Sequence, residues 1–283
     1  MVTELGTSTG VPGTEAPSGS RPSGRPVNDP VKGLLKRIRV YGTNLFRPRL
    51  LDFQRASLTI GFETGPILSA LAPARASMGD RIRDEFQQHL TVLESRLGVP
   101  HRLSSVPMAM TAEEALFLYS LVRLREPKCV VETGVASGVS TYFILCALRE
   151  NRVGSLTSFD VSATAGSLLP LEDRQAWRFV VLDPRNVKRE FVQKLDHTRP
   201  VDLFIHDSDH SYGHQYFEYR SILPLMADHG LLASDDVDAS FAYLDFCAAN
   251  GFRAHYLISA TKVFGIAEVR PAPYTPPRRE RVS

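Results

Sequence analysis

Aspartates gather at two places in the second half of the chain. Asp207-Ser208-Asp209-His210 follows the apolar run Leu203-Phe204-Ile205, and Asp235-Asp236 follows Leu231-Leu232-Ala233. Acids that end neighbouring buried strands meet in one crevice, where their repulsion is costly unless protons or a cation relieve it. A carboxylate donor set with room for water or substrate suits Mg²⁺ better than a soft metal. Asp207, Asp235 and Asp236 are therefore candidate metal ligands. His210, on the loop just after Asp207, is a candidate general base toward a substrate hydroxyl held there, with an ordinary pKa near working pH. Helix capping is the competing assignment: Asp235 or Asp236 could cap the helix that follows, and Asp209 the one beginning near Tyr212. His206, His210 and His214 stand four apart. Because His206 ends a strand, the three share no helical face, and zinc is not indicated; His214 reads as structural.

A second constellation lies upstream. Val130-Val131-Glu132-Thr133-Gly134-Val135-Ala136-Ser137-Gly138-Val139-Ser140-Thr141 reads as a buried strand that breaks into a glycine turn and opens a helix. Gly134 and Gly138 let backbone approach a nucleotide-like ligand, and Ser140 or Thr141 can help start the helix. By itself such a turn is equally a plain strand-to-helix connection. Asp160 ends the next strand, where a carboxylate can accept both hydroxyls of a ribose or, alternatively, cap the turn at Ser162. It falls 28 residues after Glu132, wider than the ~20 of a nicotinamide dinucleotide fingerprint.

These residues need a frame. Apolar Ile82, Phe86, Leu90, Leu93 and Leu97 recur at helical spacing over 78–97, and Thr111 with Glu114 forms a capping-box pattern for a helix that ends before Pro127. Strands then alternate with helices: strands over 129–132, 155–159, 177–182, 201–206 and 230–233, helices over 142–149, 187–195, 213–226 and 241–250, and two closing strands over 254–259 and 261–269. Strands joined through helices require right-handed crossovers. The expected fold is α/β: a Rossmann-like, doubly wound, mostly parallel seven-stranded sheet with an antiparallel C-terminal hairpin at one edge and extra N-terminal helices. In such sheets ligands bind beyond the carboxyl ends of the strands, where every polar cluster above falls.

Composition sets the outer bounds. The 33 Lys and Arg nearly cancel the 31 Asp and Glu, so bulk charge gives no case for nucleic acid as a partner. Cys129, Cys146 and Cys247 lack the paired spacing of a zinc or redox motif and read as buried thiols. The N-terminus has no basic stretch followed by an apolar run, and no segment approaches the ~20 apolar residues of a membrane span, which points to a cytoplasmic protein. Residues 1–30 and 271–283 are too poor in large apolar side chains to offset ordering entropy and are expected to be disordered, the second as a basic tail. Residues 31–107 form an N-terminal helical region whose segment 31–51, with Leu34, Leu35, Ile38 and Tyr41 on one face, could dock on the domain, a membrane surface or a second copy as a homo-oligomer. Residues 108–270 form the ligand-binding domain.

Glu132-x-Gly134-x-Ala136-x-Gly138, Asp207-x-x-His210 and Asp235-Asp236 together resemble the class I S-adenosylmethionine-dependent methyltransferases, in particular the metal-dependent O-methyltransferases of the macrolide-sugar and cephalosporin-biosynthesis type. Ala136 stands where many members carry a third glycine. The resemblance implies that Glu132 and the loop residues Gly134, Ala136, Ser137, Gly138 and Ser140 lie near the methionine and ribose moieties of S-adenosylmethionine. It further implies that Asp160 holds the ribose and Asp183 approaches the adenine. It also implies Mg²⁺ on Asp207, Asp235 and Asp236, with Asp207 and His210 as the catalytic pair and a small-molecule hydroxyl, such as one on a glycosylated natural product, as acceptor. Two other readings share parts of the pattern: an NAD-dependent oxidoreductase, which leaves the later acids unexplained, and a non-catalytic scaffold that retained the fold.

Overall fold

The computed structural model describes residues 59–61, 64–97, 103, 106, 110–169, 175–196, 199–258 and 263–270. The expectations for 1–30, 31–51 and 271–283 lie outside these residues. Among the described residues the sheet has eight strands in the order β1-β7-β8-β6-β5-β2-β3-β4. They are β1 (Thr59–Gly61), β2 (Cys129–Thr133), β3 (Ser155–Asp160), β4 (Trp177–Val181), β5 (Val201–His206), β6 (Met226–Ser234), β7 (Arg253–Ile258) and β8 (Val263–Glu268). The helices are α1 (Thr64–Leu71), α2 (Gly79–Arg96), α3 (Ala112–Arg125), α4 (Val139–Asn151), α5 (Val187–Lys194), α6 (Tyr212–Ile222) and α7 (Ala242–Asn250).

The seven expected strands form, parallel from β6 through β4, with β8 antiparallel to both β6 and β7. The hairpin is not the edge of the sheet, because β1 pairs in parallel with β7 and extends the sheet by one strand. The predicted helix over 213–226 ends earlier, at Ile222, in a 3₁₀ turn Leu223–Leu225. Pro224 lacks the N–H a continuing helix needs, so the chain leaves the helix there and enters β6 at Met226.

Alternation along the central strands divides the interior into two layers. Val130, Leu203, Ile205, Leu231, Ala233 and Ile266 face a cluster built with α1 to α4. Their neighbours Val131, Phe204, Leu232 and Ala267 face one built with α5 to α7. Both faces of the parallel strands are thus apolar, as crossover helices demand. The capping box at Thr111 forms as expected: its hydroxyl accepts from Glu114 N, and the Glu114 carboxylate accepts from Thr111 N. α2 docks beside α3 partly through charge, since Arg123, 5% exposed, donates to both oxygens of Glu85 at 2.8 and 3.2 Å.

No helix among the described residues is long and apolar enough to cross a membrane. The strand order reverses between β2 and β5: the chain runs outward from β2 to β3 and β4, then crosses to β5 and β6 on the other side. This switch point leaves a crevice above the β2 and β5 tips.

The α2–α3 contact generates a stability prediction. Arg123→Ala leaves the Glu85 carboxylate at a packed interface without its bidentate partner, and unfolding in urea is expected to lose about 3 kcal/mol. A loss below about 1 kcal/mol would place this ion pair among the inert surface ones.

Candidate active site

The strand tips are stitched to one another by backbone bonds that continue the sheet past its last residues. Gly134 N donates to Phe159 O at 2.9 Å, Asp207 N to Thr133 O at 2.8 Å, and Asp235 N to His206 O at 2.9 Å. Gly134 has φ +82°, and a Cβ on it would stand 1.9 Å from the Asp207 carbonyl oxygen. Only glycine permits this approach of β2 to β5. Gly138, at φ +95°, is the N-cap of α4 and lies against Gly166, which donates its N–H to Ala136 O. Ala136 itself is held at φ 47°, the left-handed region where a side chain carries strain.

The loop borders a cleft of about 980 Å³ lined by Thr133, Gly134 and Ala136, by Asp160 to Ser162, by 184–189, by Asp207 to Asp209, and by His214 and Glu218. Three predicted cofactor residues therefore line it: Gly134, Ala136 and Asp160. Asp160 is turned onto the loop, one oxygen accepting from Val135 N and Ala136 N at 2.8 and 3.1 Å, the other from Ser162 N at 2.8 Å. Lone-pair capacity remains on the second oxygen for a hydroxyl.

Glu132, Ser137, Gly138, Ser140 and Asp183 are not brought to the cleft wall. Glu132 is fully buried and accepts from Ser140, Thr141 and Ser158 hydroxyls at 2.6, 2.8 and 2.7 Å. Burial raises its pKa, against the lowering effect of those three donors. Ser140 and Thr141 thus do not cap α4 but tie it to β2. Asp183 folds onto its own turn, accepting from Arg185 N and Asn186 Nδ2, and those bonds hold its pKa down. In its place the cleft wall beside α5 presents Arg185, Lys188 and Arg189.

The second constellation converges at the tips of β5 and β6. Ligand atoms of Asp207, His210 and Asp235 lie within 4.8 Å of one another, and Asp235 is 1% exposed. Asp236 joins through His210, whose Nδ1 is 3.4 Å from its Oδ2, while His210 Nε2 is 3.6 Å from Asp207 Oδ1. The capping alternative for Asp235 and Asp236 does not form, because α7 begins at Ala242 with Phe241 as N-cap. Asp209 instead accepts from Ser211 N in the turn before α6. His210 departs from the near-neutral value expected: the carboxylates beside it, Asp207 first and then Asp236, outweigh desolvation and raise its pKa to about 10. Without a cation on those carboxylates, His210 is itself the cation and holds no lone pair for a substrate proton.

Sequence reasoning passed over Glu218. This carboxylate, 2% exposed, accepts from Thr133 Oγ1, Ser208 Oγ and His214 Nε2 at 2.6, 3.0 and 2.8 Å, and pairs with His206 Nδ1 at 2.6 Å. Burial would raise its pKa, but His206 and His214 overturn that and lower it to about 2. The signal available in the sequence was the i,i+4 spacing of His214 and Glu218 on one helix.

A methyltransferase-domain family matches residues 131–237, the stretch from β2 through the β6 acids. No curated protein matches the chain. Among solved structures, a Staphylococcus aureus protein assigned as a caffeoyl-CoA O-methyltransferase aligns with TM-score 0.51 at 14% identity, covering 68% of this chain and 99% of that one. An O-methyltransferase from Streptomyces achromogenes involved in tomaymycin synthesis, in complex with SAM, aligns at TM-score 0.49 and 15% identity over 66% of this chain and 89% of its own. One from Bacillus cereus, in complex with SAH, aligns at TM-score 0.49 and 12% identity over 71% and 100%. The methyltransferase domain over 131–237 bears out the methyltransferase resemblance and does not distinguish a metal-dependent branch.

The His210 contacts predict a pH dependence of stability. Its folded-state pKa of about 10 is above the ordinary 6.5, so the stabilisation is complete below pH 6.5 and disappears as pH rises through about 10. With chelator present, the stability gap between wild type and His210→Gln in urea should be widest near pH 6 and close toward about pH 10. A gap that widens with pH would contradict the two-carboxylate environment.

Proposed function

With a methyltransferase domain over 131–237 as premise, we propose that this protein is an S-adenosylmethionine-dependent O-methyltransferase. In this reading it acts on a hydroxyl of a small molecule, such as one on a sugar of a glycosylated natural product, with help from a divalent cation, Mg²⁺ in the first instance. The observation that carries the reading is the juxtaposition of two sites across one seam: a glycine-loop cleft above β2 and an Asp-His cluster above β5 and β6, with Asp207 belonging to both. We assign residues 108–270 to the catalytic domain and 31–107 to an accessory region that adds β1, α1 and α2 to it.

The donor set fits a hard divalent ion. Asp207 and Asp235 already bring carboxylate oxygens together, Asp236 is one imidazole away, and such a cluster of acids is stable only when its charge is offset. When bound, the ion would lower the pKa of a neighbouring hydroxyl and offset the aspartate charge. S-adenosylmethionine, when bound, supplies the methyl group on a sulfonium centre. The loop Gly134 to Ala136 and Asp160 then serve to bind and orient the donor, and the rigid β2–β5 seam fixes its distance from the acid cluster. His210, on the loop just after Asp207, is the residue that would accept the acceptor's proton. A nicotinamide-linked oxidoreductase leaves the Asp-His cluster without a task.

Asp207→Asn and Asp235→Asn are expected to lower divalent-dependent methyl transfer by at least about a hundredfold, while Asp235→Asn, away from the donor cleft, keeps SAH affinity in calorimetry. His210→Ala should depress turnover and spare Mn²⁺ affinity. Loss of Mn²⁺ binding in that variant would make His210 a ligand in place of Asp236, and full turnover in excess chelator would remove the metal from the mechanism.

A further inference from the structure

Glu218 is unusual in this chain. It is an ionised carboxylate, almost wholly buried, lying on the mid-length of α6 rather than at a strand tip. A carboxylate offers about four lone-pair positions, and here four side chains occupy them from four directions. Thr133 is the last residue of β2, immediately before Gly134. His206 is the last residue of β5, Ser208 sits in the loop between Asp207 and Asp209, and His214 stands one turn earlier on α6. The same seam is where the Gly134 backbone meets the Asp207 carbonyl with no room for a methyl group.

We propose that Glu218 is the positioning residue of this site, a single buried acceptor that locks the donor-binding glycine loop and the Asp207–His210 loop into one rigid register. The inference rests on the methyltransferase reading for what the two loops hold. The β2–β5 ladder ends with the backbone bond from Asp207 N to Thr133 O, and past it Gly134 N turns to Phe159 O on the other side. Glu218 adds side-chain attachments past the end of that ladder, from Thr133 on one side and Ser208 on the other, at 2.6 and 3.0 Å. A rigid register matters because an error of about 1 Å in donor-to-acceptor placement costs about a hundredfold in rate. Burial makes the lock strong as well as exact, since hydrogen bonds to a charged acceptor are worth about twice neutral ones.

The test compares Glu218→Gln with wild type and with Glu85→Gln. The last weakens the remote α2–α3 ion pair and so controls for loss of stability alone. Glu218→Gln is expected to weaken SAH affinity by at least about tenfold, and to raise amide exchange in peptides covering 133–138 and 207–210 but not in α3. Glu85→Gln should lower the unfolding midpoint and leave SAH affinity within about twofold. If Glu218→Gln does not fold, Ser208→Ala decides: removing that one donor should raise exchange across the seam, in 133–138. Unchanged SAH affinity in Glu218→Gln, or unchanged exchange across the seam in Ser208→Ala, overturns the proposal. Wild type that fails to bind SAH overturns the methyltransferase reading itself, a different result from a variant that binds as well as wild type.

Discussion

Everything at this site depends on how closely the backbone at the end of β2 can approach the backbone at the end of β5. A side chain at position 134 would collide with the Asp207 carbonyl, so the choice of glycine sets the width of the crevice before any ligand enters it. From that contact outward, each tip is bonded to the next: β3 to Gly134, β2 to Asp207, β5 to Asp235. The polar residues are therefore carried on extensions of the sheet rather than on free loops. That is the condition for holding reacting groups to a fraction of an ångström.

Charge is the second constraint. The crevice gathers more carboxylate than a partly dry site tolerates, and the chain handles each acid differently. Glu132 is buried among three hydroxyls, Asp160 is satisfied by loop amides, and Glu218 is held ionised by two histidines and two hydroxyls. Asp207 and Asp236 flank the His210 imidazole, with Asp235 beside them. Glu132 and Glu218 are closed off by partners from several elements and shape the scaffold.

Much of this was legible in the residues because the signals are local. Thr111 and Glu114 announce a capping box by spacing alone, and the strand-end aspartates announce a crevice through the continuous apolar runs ahead of them. The direction of each carboxylate was not legible. Glu132 accepts from Ser140 and Asp183 from its own turn, because hydroxyls and amides brought in by folding compete for the same oxygens. Pro224 carried enough information to end α6, yet the apolar run around it masked the stop. Glu218 was missed for a deeper reason: its partners come from β2, β5 and the following loop, and only the assembled switch point puts them on one carboxylate. β1 likewise owes its existence to an open edge on β7, which no local pattern encodes.

The central claim is that one seam holds a sulfonium donor on the β2 side and a divalent ion on the β5–β6 side. Diffraction from crystals grown with SAH and Mn²⁺, collected at the manganese absorption edge, tests it most directly. The account predicts SAH in the cleft between the Gly134 loop and residues 184–189, and one anomalous peak among Asp207, Asp235 and Asp236. An empty cleft, or manganese bound elsewhere while Asp207 and Asp236 still flank His210, would contradict it.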